Sequence, residues 1–90
     1  MSTLERIRRK ILDGNYRFSR HMERESMRDH GLLIEDIENA ILRGRIIAKI
    51  RDPFGTQYAV EGPALDDRMV VTIVRFAVDN NLFFITVYES

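Results

Sequence analysis

This 90-residue chain has no cysteine, which excludes disulfide staples, Cys-ligated zinc and thiol catalysis. Nowhere do apolar residues run for the roughly 20 positions that a membrane-spanning helix needs. The polar opening MSTLERIRRK does not resemble a signal peptide. A soluble, cytoplasmic protein is the expectation. Net charge is missing too, because 14 Lys and Arg are matched by 14 Asp and Glu. That argues against a protein that coats nucleic acid through bulk positive charge. The chain has no phosphate-cradling glycine loop and no nucleophile elbow. Its two histidines, His21 and His30, are nine positions apart and point differently on one helix. No metal-ligand spacing arises from them, and no metal or other cofactor is expected.

Hydrophobic residues make up 44% of the chain and charged residues 31%, which places it among folded globular proteins rather than disordered ones. Residues 1–90 form a single domain, too short for a second core. A chain of this size buries a modest share of its surface, so its stability is expected to be marginal or aided by a partner. The charge is unevenly distributed. Residues 1–30 hold eight Lys and Arg against five Asp and Glu, and residues 31–90 hold six against nine. The basic excess therefore falls on the first two helices, whose outer faces could meet an anion. The plainer reading is two solvated helix faces.

Ser2 followed by Glu5 forms a capping-box pattern, and Leu4, Ile7 and Ile11 recur at helical spacing. A first helix from Thr3 to Asp13 follows, ended by Gly14. Tyr16 and Phe18 alternate with polar neighbours as a short strand does. Ser19 can cap a second helix that stops at Gly31, and its only apolar residues are Met22 and Met27. That helix is expected to bury little. Ile34, Ile37 and Ile41 give a third helix its apolar face, with Gly44 closing it. Strands are expected over Ile46–Arg51, Thr56–Glu61, Met69–Val78 and Leu82–Tyr88, the first two joined by the turn Asp52-Pro53-Phe54-Gly55. The fold class is α+β, with N-terminal helices packed on a twisted, mainly antiparallel sheet of four or five strands.

On an α-helix His21, Arg24 and Arg28 share one face, with Glu25 beside them. An imidazole can move protons near neutral pH while guanidinium groups hold a phosphate, so this set could handle a phosphodiester. The structural alternative is that His21 anchors the junction and the arginines pair with Glu25 and Asp29. Arg75 stands out as a charge inside the apolar run MVVTIVRF. If Asn80-Asn81 is a two-residue loop, Arg75 lies opposite Thr86, with Tyr88 as a diagonal neighbour on the same sheet face. That face could bind RNA, or it could be the solvated side of a one-sided sheet. The aromatic residues Tyr16, Phe18, Phe76, Phe83 and Phe84 read as core.

The segments SRHMERESMRDHGLLIEDIENAILRGRII, QYAVEG, MVVTIVRF and ITVY resemble a family of small bacterial and cyanobacterial domains of unknown function. The resemblance covers residues 16–88. It rests on His21, Gly31, Ile37, Ile41, Gly44, Tyr58, Gly62, Thr86 and Tyr88, whereas Leu33 stands where the family usually has a Thr or Ser helix cap. That family resembles the RelE-like and BrnT-like toxins, which are metal-independent endoribonucleases. The resemblance implies an RNA-cleaving toxin of a type II toxin–antitoxin pair, neutralised by a small zinc-finger antitoxin. In that reading His21 is the acid or base, Arg28 and Arg75 contact phosphate, Arg24 helps bind the substrate, and Tyr58, Thr86 and Tyr88 position the RNA. The alternative is a non-catalytic protein-interaction domain, for which a homodimer is one arrangement, favoured by the neutral charge and the shortage of acid–base pairs.

Overall fold

The computed structural model describes all 90 residues and has the expected α+β architecture. In chain order the elements are α1 (Thr3–Leu12), β1 (Tyr16–Phe18), α2 (residues 20–29) and α3 (Ile34–Arg43). Strands β2 (Arg45–Asp52), β3 (Gly55–Pro63), β4 (Met69–Phe76) and β5 (Leu82–Glu89) follow as an antiparallel meander. The sheet order is β1-β5-β4-β3-β2, with β1 parallel to β5. No helix is long and apolar enough to cross a membrane.

Local chemistry sets the helix ends. The Ser2 hydroxyl accepts the Glu5 amide at 3.1 Å, starting α1. Gly14 and Gly31 take the left-handed conformation, with φ of 71° and 62°, and each completes a Schellman turn. In the second of these the Leu32 amide reaches Met27 O at 2.7 Å and the Gly31 amide reaches Arg28 O at 3.1 Å. At the start of α3, Leu33 has no acceptor to offer, so only the reciprocal half of a capping box forms. One oxygen of the buried Asp36 accepts the Leu33 amide at 2.8 Å, and the other accepts the Leu65 amide at 2.9 Å. A single carboxylate thus caps the helix and fastens the β3–β4 loop to it.

The second helix departs from expectation. Residues Met22–Ser26 wind as a π-helix, and Met22 and Met27 are both buried in the main core, at 0% and 8% exposure. On an α-helix residues five apart differ by about 140° around the axis and could not both face the sheet. The wider π turn brings them to the same side. Ser19 accepts the Met22 amide at 3.0 Å and donates to Ile85 O at 2.7 Å, so its hydroxyl joins the helix start to β5. Ser26 and Thr86 hydroxyls meet at 2.7 Å further along. The expectation of slight burial is therefore corrected: α2 packs along the half of β5 that β1 leaves unpaired.

The third helix lies against β3 at unusually close range. A Cβ at Gly62 would sit 2.0 Å from Ala40 O, and one at Gly44 would sit 2.4 Å from both Ala40 O and Glu61 O. Gly44 has φ of −94°, an extended conformation. Its small size, rather than a left-handed cap, is what this position uses. Arg8 donates to the Gly44 carbonyl at 2.7 Å, tying α1 to the negative end of α3.

The core between helices and sheet includes Ile7, Met22, Ile37, Ile41, Val74 and Phe84. A second, smaller cluster of Ala59, Val71 and Ile73 lies on the other face, with Ile85 packed against it and no helical residue among its members. One buried hydroxyl in β4, Thr72 Oγ1, has no hydrogen-bond partner. Thr72→Val keeps the shape and removes that unmet polar atom. It should stabilise the fold by about 1 kcal/mol, seen as a higher urea midpoint at unchanged m-value.

Candidate functional site

Arg75 alternates with the buried Val74 and so projects from the helix-free face. Its cross-strand partner is Phe83, not Thr86. The connection is longer than two residues: the Ala77 amide bonds Asn81 O at 2.8 Å, enclosing Val78, Asp79 and Asn80, with Asn80 at φ 67°. Strand β4 accordingly ends at Phe76 rather than Val78. Further along β5, Thr86 opposes Ile73 while Val74 opposes Phe84, which leaves Ile85 as the extra residue of a bulge.

On the other side of Phe83 stands Arg17 of β1. The row Arg17–Phe83–Arg75 crosses three strands, and both guanidinium carbons lie 5.5 Å from the centre of the Phe83 ring. Phe83, expected in the core, is instead a half-buried platform between two cations. Beside this row opens a cleft of about 510 Å³ whose lining includes Arg17, Arg75, Phe54, Val78 and Asp79. Phe54, at the tip of the β2–β3 turn, is 84% exposed.

The two arginines differ electrostatically. Arg17 is paired with Asp79 at 2.9 Å. The Asp79 carboxyl is held below the usual carboxylate range, first by the Asn81 backbone amide and then by Arg17. Any stability this interaction contributes is present above the ordinary carboxyl pKa of about 3.9 and is lost as pH falls through the lower folded value. Arg75 forms no ion pair, and its Nε is buried without a partner. A free guanidinium, a second one shared with a carboxylate and an exposed ring together suit a planar group bearing a nearby anion.

The other expected residues are distributed around the fold. Tyr88 opposes Val71 on the helix-free face and is 45% exposed. Thr86 has its hydroxyl engaged by Ser26. Tyr58 lies on the opposite side of the sheet, edge-on to Phe76 at 6.3 Å and packed on the main core. Its position does not bring it to Arg75. His21 Nδ1 meets Glu25 at 2.7 Å, and both side chains are mostly exposed. Arg24 and Arg28 instead line a groove of about 580 Å³ between α2 and the start of α3, with Glu23 and Glu35, and His21 is not part of it. The π turn breaks the angular relation that an α-helix would have given the three residues. No three His, Asp or Glu side chains converge as metal ligands would.

The family model for the domain of unknown function DUF4258 matches residues 18–89. The chain belongs to that family. No curated protein and no solved structure gives a match. The DUF4258 region runs from the end of β1 through β5. It contains Phe54, Arg75 and Phe83, whereas α1 and Arg17 precede it. Sequence reading missed Arg17, because its importance depends on β1 pairing with a strand at the other end of the chain. Phe54 carried a usable signal: an aromatic between Pro53 and Gly55 of a tight turn has no core to enter.

Proposed function

We propose that this protein binds single-stranded RNA at the helix-free face and cleaves it without a metal, as the toxin of a toxin–antitoxin pair. The observation that carries the reading is the Arg17–Phe83–Arg75 row beside the exposed Phe54 ring. Single strands are held by stacking platforms next to cations, which tolerate a protein of zero net charge when the cations are local. The cleavage step rests on the chemistry of an imidazole held by a carboxylate, the His21–Glu25 pair.

In this reading Arg75, the unpaired cation, holds a phosphate of the bound strand next to the cleft, Phe54 stacks a base, and Tyr88 contacts the strand further along towards the scissile phosphate at α2. His21, oriented by Glu25, takes the proton of the 2′-hydroxyl as that oxygen attacks phosphorus. The P–O5′ bond breaks and the departing oxygen takes a proton from water, leaving a cyclic phosphate and a 5′-hydroxyl. RNA would run from the cleft along the exposed side of β5 to reach α2. Arg24 and Arg28, in their separate groove, fit an outlying phosphate contact or a partner such as a small zinc-finger antitoxin.

The test is expression and purified-protein assay of wild type, Arg75→Ala and His21→Ala. Wild type should arrest growth and cleave cellular RNA. Arg75→Ala should weaken binding to a single-stranded oligonucleotide and lower the salt slope by about 0.7. His21→Ala should keep binding but lose cleavage by roughly 10²-fold or more. Wild type that neither arrests growth nor cuts RNA ends the toxin reading. Binding that is indifferent to Arg75 moves the site elsewhere. A non-catalytic interaction domain is the second reading, favoured by the open edge of the sheet at β2.

A further inference from the structure

The two edges of the sheet are treated differently. At one, β1 pairs with the first half of β5 and α2 covers the second half, with Ser19 satisfying the Ile85 carbonyl. At the other, β2 bonds only to β3, so the outward amides and carbonyls of an eight-residue strand have no partner. Such a row is a template for another strand. Almost every β2 residue is exposed, including Ile47 at 45% and Ile50 at 48%. Lys49 and Arg51 are exposed as well and belong to no ion pair.

The charge pattern selects the occupant. Beyond the bulge between Ile46 and Ala48 the strand is regular, and Lys49 and Arg51 lie on one side with Ile50 on the other. A second copy would have to pair antiparallel about a twofold axis. Centred on Lys49, Ile50 or Arg51, every such pairing places a basic side chain directly opposite another, which is unfavourable. The edge therefore resists its own copy while remaining open to the opposite charge. We infer that β2 accepts an extended segment of a different protein, one alternating acidic and apolar residues, as a sixth strand of the sheet. Acidic side chains would oppose Lys49 and Arg51, and apolar ones would cover Ile50. The main-chain hydrogen bonds would supply attachment and the alternation would supply selectivity. This surface is separate from the Arg75 cleft and stands whether or not the protein cuts RNA.

The experiment uses the whole chain with an alternating Glu–Val octapeptide, a Lys–Val octapeptide as control and a short single-stranded RNA. Amide hydrogen exchange of β2 is the readout. The Glu–Val peptide should slow exchange of the outward β2 amides, and the Lys–Val peptide should not. The double variant Lys49→Glu, Arg51→Glu should weaken Glu–Val binding roughly tenfold and reverse the preference between the two peptides. A matching thermal midpoint for this exposed double change shows that the variant is folded. Protection of β2 that grows with protein concentration alone would overturn the proposal in favour of a second copy. Protection by the RNA but not by peptide would overturn it in favour of nucleic acid. No protection by millimolar Glu–Val peptide would reject strand addition by an acidic segment.

Discussion

Gly62→Ala should be the most destabilising single methyl addition in this protein. The added methyl would lie 2.0 Å from Ala40 O, 2.8 Å from Ala40 C and 2.9 Å from Gly44 Cα, all of them backbone atoms. Relief requires moving α3 away from β3, and α3 is fastened on several sides. Asp36 holds the Leu65 amide, the Asn39 side chain donates to Pro63 O at 2.9 Å, and Arg8 holds the Gly44 carbonyl. Overpacking that neighbours can absorb costs about 1–3 kcal/mol, and here the neighbours are main chain. A loss of about 3 kcal/mol or more is expected, against a total of roughly 5–15 kcal/mol for a small domain. Circular dichroism should show a thermal midpoint lowered by roughly 10–25 °C. Gly14→Ala is the useful contrast. Nothing lies within 4 Å of its Cβ position, and only the φ of 71° is unfavourable, so about 1 kcal/mol should be lost. A Gly62→Ala protein that melts near wild type would mean that α3 and β3 are further apart than described.

Phe84→Ala should be nearly as damaging, by about 3–5 kcal/mol. The ring is fully buried, 4.8 Å from Phe18 and 5.5 Å from Tyr16 between centroids. It is the main side-chain attachment of the three-residue β1, which has only three register pairs with β5 to hold it. Loss of the ring should therefore release β1 before the rest of the sheet. Hydrogen exchange is the informative measurement: amides of residues 16–18 should lose protection well below the global unfolding midpoint. Arg17 would leave the cleft with its strand. Equal loss of protection in β1 and β3 would show instead that β1 is held by the fold as a whole.

The fold class, α1, α3, the Gly14 and Gly31 stops and the Asp52–Gly55 turn were all legible in the sequence. Each depends on contacts between residues a few positions apart, such as Ser2 with Glu5 or Leu32 with Met27. Arg75 was legible as well, since a charge in MVVTIVRF is conspicuous wherever the strand lies. Its surroundings were not. The choice of Thr86 as its partner assumed a two-residue loop, and the longer turn held by Ala77 and Asn81 moved Phe83 into that place.

Membership in the DUF4258 family covers the meander and both later helices, yet the cleft is completed by Arg17 from just outside that region. The helix ends, the Asp52–Gly55 turn and the order of the meander strands were readable from the residues alone, because neighbouring residues settle those through caps, φ preferences and alternation. The π turn of α2, the parallel pairing of β1 with β5, the bulge at Ile85 and the row Arg17–Phe83–Arg75 arise from packing in three dimensions. The contacts of β1 and α2 with β5 join residues some sixty positions apart, as Ser19 with Ile85 and Ser26 with Thr86 show, and the bulge depends on the β4–β5 register. Their geometry follows from which surfaces bury each other best, a competition that no local spacing records.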